Sequence, residues 1–318
     1  MRFFVYIAAV CLTAMASSCS QVGSGYLGGR NYNNRRTYVP TVHTQAPLPS
    51  AARQVYGERS SSLVPPRPLA QPGTPAPAPD CAAVCVIDPR TGHVLYGHNQ
   101  HERRQVASTQ KIITALCACD VGELDRKMTI TREDKLSVTP IRSRLKVGET
   151  YTRGAVMHAM LTASCNDLAQ ALARDSADGD VDKFVQKMNA RARRMRMYNS
   201  HFVNPSGLPG PQYSTAYDMA LAACYAYTNP VIRDFINDRQ VILTRPNGQQ
   251  VNFNNTNKLL EKYSWVQGMK TGYTNAAKRC LISCGSANGR SVIVVVLGCE
   301  KRRIWAESEK YLRWALNV

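Results

Sequence analysis

Ala107-Ser108-Thr109-Gln110-Lys111-Ile112-Ile113-Thr114-Ala115-Leu116 is the stretch around which the chain is organised. Its apolar run reads as a helix whose first turn holds Ser108. Positions i and i+3 of a helix share a face, with Cβ atoms roughly 5–6 Å apart, so Ser108 and Lys111 point the same way. A serine hydroxyl is a weak nucleophile at neutral pH and needs a base in hydrogen-bond reach. A lysine serves as that base when burial or a nearby cation lowers its pKa. The helix N-terminus adds positive field where an oxyanion forms. Alone the pattern says little, since residue frequencies give roughly one Ser-x-x-Lys in a chain of this size. An ordinary surface serine and lysine fit it too, and what separates the two readings lies downstream.

The chain has 318 residues, 44% of them hydrophobic, enough for one large or two modest domains. The formal net charge of +18 suits an anionic partner, either nucleic acid or an anionic envelope surface. Nucleic acid is set aside, because the aromatics do not interleave with a basic patch and no zinc-finger, RNP or helix-turn-helix signature is present. The sharpest basic run, Arg191-Ala-Arg193-Arg194-Met-Arg196, reads as the solvated face of a helix.

Arg2 precedes an apolar run from Phe3 to Met15, too short to span a bilayer but the length of a signal-peptide core. Small residues follow, Ala14-Met15-Ala16-Ser17-Ser18-Cys19. Cleavage after Ala16 gives a soluble exported protein. Cleavage before Cys19 resembles lipoprotein processing, with Cys19 acylated and Ala16 in place of the usual larger apolar residue. Residues 1–18 are assigned to the signal peptide on the second route. Residues 19–79 are rich in Pro, Gly, Ser, Asn and Arg and read as a disordered tether. Its flexible reach is roughly 45 Å. No later segment is apolar enough to span a membrane.

Of the 11 cysteines, Cys11 leaves with the signal and Cys19 is the lipidation candidate. The rest form an odd set, so at least one stays a free thiol. Most read as small buried apolar residues, with Cys81–Cys299 a candidate bridge. No pair has zinc-ligand spacing matched by a second pair or by histidines. Neither a metal nor an organic cofactor is implied.

Folded sequence is expected from Asp80 to Val318. Ala82 to Ile87 and His93 to Tyr96 read as a hairpin across Asp88-Pro-Arg-Thr-Gly92. Met128 to Thr131 is a short extended piece. Helices are expected up to Leu161-Thr162, over Asp167 to Ala173, Phe184 to Met197, Thr215 to Tyr227 and Pro230 to Asn237. Pro246-Asn-Gly248 is a hairpin turn. Val266 to Thr271, Arg279 to Cys284 and Val292 to Leu297 are strands, the last apolar on both faces and so central. A helix from Trp305 to Leu316 closes the chain. The expected class is α/β (α+β): an antiparallel sheet built from both chain ends, flanked by helices, with an inserted helical subdomain.

Three short motifs then line up in order: Ser108-x-x-Lys111, Ser164-Cys165-Asn166 and Lys270-Thr271-Gly272. Together they are far more specific than any one of them, and they form the triplet of class A β-lactamases and penicillin-binding proteins. The run Ser164-Cys-Asn-Asp-Leu-Ala-Gln-Ala-Leu-Ala173 resembles that of the D-alanyl-D-alanine carboxypeptidases. So do Phe202-Val-Asn-Pro-Ser-Gly-Leu208, Tyr213-Ser-Thr-Ala-Tyr-Asp218, Asn255-Thr-Asn-Lys-Leu-Leu260 and Gly268-Met-Lys-Thr-Gly-Tyr-Thr-Asn-Ala-Ala277. The resemblance runs from about residue 80 to the end and implies the serine β-lactamase-like fold of the low-molecular-mass penicillin-binding peptidases. Cys165 departs from the family's glycine, which raises a narrowed cleft or sensitivity to oxidation. Lys278 and Arg279 also depart, at positions where a glycine and an aromatic or polar residue are common.

The chemistry and the resemblance assign the same roles. Ser108 attacks the peptide carbonyl before a terminal D-alanine and forms an acyl-enzyme, and Lys111 takes its proton. Ser164 passes a proton to the leaving amine. Asn166 holds the substrate amide and orients Lys111. Lys270 supplies positive field, Thr271 binds the terminal carboxylate, and Gly272 lets the substrate backbone approach the strand edge. The N–H groups of Ser108 and Tyr273 form the oxyanion hole. Arg302 or Arg303 is a candidate for a second carboxylate contact. The implied activity is D,D-carboxypeptidase on peptidoglycan stem peptides in the periplasm or cell envelope, with β-lactams as covalent inhibitors. A D,D-endopeptidase on crosslinks, a β-lactamase and an inactive wall-binding lipoprotein are the alternatives. Against the β-lactamase, the stretch from Ser164 to Lys270 holds one glutamate, Glu261, beside Asn257-Lys258-Leu259-Leu260 and out of place for activating a deacylating water.

Overall fold

The structure is a computed structural model, in which residues 69–135, 141–300 and 303–318 are described. The expected signal peptide, Cys19, the tether as far as residue 68 and Arg302 lie outside the described residues. β1 (Ala83–Ile87) and β2 (Val94–His98) form a hairpin, and a 3-10 turn over Ala107–Gln110 runs into α1 (Lys111–Val121). Then come β3 (Lys127–Thr129), the short α2 (Arg132–Lys135), β4 (Thr150–Thr152), α3 (Arg153–Ala163), α4 (Asn166–Asp175) and α5 (Val181–Arg194). α6 (Ala216–Thr228), α7 (Pro230–Asn237), the hairpin β5 (Gln240–Thr244) and β6 (Gln250–Asn254), and α8 (Leu259–Lys262) follow. β7 (Val266–Thr274), β8 (Lys278–Ala287), β9 (Arg290–Cys299) and α9 (Ile304–Leu316) complete the chain.

β1, β2 and β7 to β9 make one five-stranded antiparallel sheet in the order β2-β1-β9-β8-β7. It is drawn from both ends of the folded chain, with β9 in the centre, as its two-sided apolar sequence requires. Side chains alternate across a strand. Ile293, Val295 and Leu297 of β9 join Cys85 and Ile87 of β1 in the core under the helical body. Val292, Val294 and Val296 join Val84 and Val86 in a second core under α9, with Tyr311, Leu312 and Leu316. Each such side chain withdrawn from water stabilises the fold by roughly 1.5–3 kcal/mol.

Three differences from the sequence expectation have physical causes. α5 starts earlier than Phe184 because the Asp180 carboxylate caps it, accepting from the N–H of Lys183 at 2.9 Å. Ser108 lies in the 3-10 turn ahead of α1 rather than inside the helix, since Ala107 takes a left-handed φ of 50°. Residues 69–79, expected in the tether, lie against the body with Asp80. Prolines cannot donate, so the carbonyls there accept from distant side chains: Ala70 from Arg290 at 2.8 Å, Thr74 from Trp314 at 2.8 Å and Pro77 from Tyr311 at 3.0 Å. The expected start at Asp80 falls inside this docked segment. The candidate Cys81–Cys299 bridge is not formed, and all nine described cysteines are free thiols. No helix among the described residues is long and apolar enough to cross a membrane.

Candidate active site

Three elements meet at Ser108. The 3-10 turn carries it, the start of α4 after the αL residue Ser164 brings Asn166 to Lys111, and the edge strand β7 runs alongside. Gly272 explains the close approach of the strand. A Cβ there would sit 3.0 Å from Val106 O and 3.1 Å from Ser108 N. In the fold that glycine also admits the nucleophile's own turn.

Lys111 is fully buried, and its amine is surrounded by oxygen. Nζ lies 2.8 Å from Ser108 Oγ, 2.7 Å from Asn166 Oδ1 and 2.5 Å from the Ser206 carbonyl. Burial pushes the Lys111 pKa well below its usual value, and the Lys270 charge lowers it further, opposed by Cys165 and Asp167. A neutral amine has two N–H bonds and one lone pair. In the neutral amine, Asn166 Oδ1 and Ser206 O, which can only accept, would bind the two N–H groups and leave the lone pair for the Ser108 hydroxyl, which itself lies 3.3 Å from Ser206 O. Among the described residues no carboxylate bonds to Ser108 or Lys111.

Lys270 is also buried, on β7, and burial lowers its pKa to about 7. Thr271 Oγ1 lies 2.6 Å from Thr256 Oγ1, in the turn between β6 and α8. Thr256 N donates to Thr162 O at 3.2 Å, linking that turn to α3. Tyr273 is 51% exposed, with the Arg279 guanidinium 4.8 Å over its ring. Ser164 is buried, and no hydrogen bond among the described residues joins its hydroxyl to Ser108 or Lys111. The turn it begins supplies Asn166, and Asn166 N donates to Ile141 O at 3.0 Å.

One idea from the sequence is corrected by burial. Cys165 belongs to the main core, and its thiol is pushed up to about 12 by burial and Asp167, so thiolate chemistry is suppressed. Arg303, exposed at the start of α9, is ion-paired with Asp80 through Nη1. Lys278, at a position where glycine is common, holds a left-handed φ of 56°. Glu261 is an exposed residue of α8.

Sequence reasoning assigned no role to Asp167, Ser206 or Thr256, although all three lie in runs that carried the resemblance. Asp167 is buried and accepts from Lys135 Nζ, from Ser143 N at 2.9 Å and from Ser143 Oγ at 2.7 Å. It ties the segment beginning at Ile141 to the N-terminus of α4. Among the described residues there is no cluster of three or more His, Cys, Asp or Glu able to hold a metal.

Residues 71–301 match the family model described as D-alanyl-D-alanine carboxypeptidase. The chain is 32% identical to D-alanyl-D-alanine carboxypeptidase DacF of Bacillus subtilis over 79% of its own length, and it spans 62% of that longer relative. It is 31% identical to the D-alanyl-D-alanine endopeptidase of Pseudomonas aeruginosa, covering 72% of this chain and 75% of that one. The crystal structure of the Streptomyces K15 DD-transpeptidase superposes with a TM-score of 0.73 at 27% identity, over 77% of this chain and all of that one.

Proposed function

Because the chain belongs to the D-alanyl-D-alanine carboxypeptidase family of serine peptidases, we propose that it removes the terminal D-alanine from peptidoglycan stem peptides through an acyl-enzyme on Ser108. The observation that carries this is the buried Lys111 amine, within hydrogen-bond reach of Ser108 Oγ, Asn166 Oδ1 and the Ser206 carbonyl. In acylation Lys111 takes the Ser108 proton as Oγ attacks the carbonyl carbon before the last residue. The oxyanion accepts from the N–H groups of Ser108 and Tyr273. Ser164 passes a proton to the departing amine. Asn166 holds both Lys111 and the substrate amide. Lys270 and the Thr271 hydroxyl receive the terminal carboxylate, and Gly272 keeps β7 near enough for the substrate to lie between them. Water then attacks the ester and frees Ser108.

A second reading is a D,D-endopeptidase cutting crosslinks with the same residues, supported by the Pseudomonas relative that carries that name. The β-lactamase reading is disfavoured, since among the described residues no acid bonds to the nucleophile or its base. β-Lactams act here as slowly released acylating inhibitors. The Phe3–Met15 run and Cys19 support export to the envelope, with a lipid on Cys19 as anchor.

Incubation with a pentapeptide ending in D-Ala-D-Ala, and with a crosslinked dimer, separates the readings by product mass. The carboxypeptidase releases D-alanine from the pentapeptide faster than it cuts the dimer, and Ser108→Ala abolishes both. Faster cutting of the dimer favours the endopeptidase, and turnover retained in Ser108→Ala rejects both.

A further inference from the structure

The Ser206 carbonyl that touches Lys111 is one of three successive carbonyls held from a single stretch of chain. Gln110 Nε2 donates to Asn204 O at 2.5 Å, Thr114 Oγ1 to Pro205 O at 2.6 Å, and Lys111 Nζ to Ser206 O at 2.5 Å. Gln110 and Thr114 are four residues apart and share a face of the helical turn. The loop is stiff from within. Asn204 Oδ1 accepts from Ser206 N at 3.1 Å and Gly207 N at 2.8 Å, and Pro205 has a fixed φ. Gly207 lies so close beneath the nucleophile that a Cβ there would be 2.1 Å from Ala107 O.

Thr114 is buried and reaches no reacting atom, so a purely structural role as donor to a buried carbonyl is the alternative. Its bond, however, goes to the carbonyl adjacent to the one that orients the amine. We propose that Thr114 is a positioning residue for acylation: by fixing Pro205 O it places Ser206 O to take one Lys111 proton, which turns the amine lone pair toward Ser108. This rests on Lys111 being the base. The groups that face Lys111 are Lys270 from β7, Cys165 and Asp167 from the turn and start of α4, and Ser108 from its own turn. Substitution at Thr114 leaves all of them in place.

The test is the rate of Ser108 acylation by benzylpenicillin, followed by protein mass against pH, for Thr114→Val and Thr114→Ser. A carbonyl beside the amine favours its charged form. Its displacement in the valine variant therefore moves the acid limb to lower pH, while the lost orientation lowers the plateau about tenfold, the scale of a sub-ångström misplacement. Serine restores both. A lower melting temperature with limb and plateau within twofold of wild type overturns the positioning role. If the valine variant does not fold, Thr114→Cys keeps the volume with a weaker donor, and its plateau should fall between those of serine and wild type on one side and zero on the other; a wild-type rate there overturns the proposal. Lys111→Ala is run alongside. Acylation retained in that variant overturns the base assignment itself, whereas acylation lost there with Thr114→Val unaffected overturns only the role of Thr114.

Discussion

The proposed mechanism asks opposite things of two lysines in one buried cleft. Lys111 must be neutral to take a proton, and burial lowers its pKa in that direction. Lys270 must be charged to attract a carboxylate, and burial brings its pKa to about 7. As pH rises, Lys111 loses its proton and acylation increases. Near pH 7 Lys270 discharges and substrate capture weakens. The profile of kcat/KM, which reports groups of the free enzyme, should therefore be a bell whose alkaline limb falls near pH 7. A profile that keeps climbing to pH 9 would mean that Lys270 is not the carboxylate's cation. Stability follows the same titration. Between about pH 7 and the ordinary 10.5, the unfolded chain holds a proton on Lys270 that the folded chain does not, so raising pH stabilises the fold. Below pH 7 the folded state bears the full penalty of a buried charge. Lys270→Met should therefore melt above wild type at pH 6, by a margin that narrows toward pH 10, while losing activity. Scanning calorimetry at the two pH values reads the margin, and a margin that widens with pH has the wrong sign.

At the level of elements, the long periodic pieces were legible in the sequence and the turn that matters most was not. Val292 to Leu297 announced a central strand because both faces are apolar, and Pro230 marked the start of α7. The Ser108 turn was read as plain helix, since nothing local marks Ala107 for a left-handed φ. That conformation is imposed by Gly207 and Gly272, which let a loop and a strand press on the turn from positions far along the chain. β4 and the short α2 and α8 have three or four residues and carry no period to read. The motif residues were legible one by one, but the Ser206 carbonyl belongs to the backbone and leaves no residue signature. Gly207→Ala tests this crowding. Its Cβ must push Ala107 O and Ser108 N aside, and a displacement near 1 Å lowers the acylation rate about 100-fold. A rate within threefold of wild type, measured with benzylpenicillin, would show that the turn yields without harm to the nucleophile.

Across the whole molecule, the sheet built from both ends places catalysis on one side and the docked N-terminal segment on the other. Residues 69–80 lie along α9, whose apolar face packs on the side of the sheet away from the helical body. Their docking was hidden in the sequence, because a proline-rich stretch has almost no apolar period and its partners lie more than two hundred residues away. Tyr311→Phe deletes the bond to Pro77 O and should lower stability by about 1 kcal/mol, seen in urea unfolding, with kcat/KM unchanged. A matching fall in kcat/KM would tie the segment to the cleft. The central claim concerns Ser108, and its most direct measurement is the site and lifetime of the benzylpenicillin adduct by peptide mass mapping. One adduct is expected, on the peptide that carries Ser108, absent from Ser108→Ala and lasting minutes, because among the described residues no carboxylate bonds to Ser108 or Lys111. An adduct on another residue, or one lost within milliseconds, would contradict the assignment of this chain as a serine D,D-peptidase acting through Ser108.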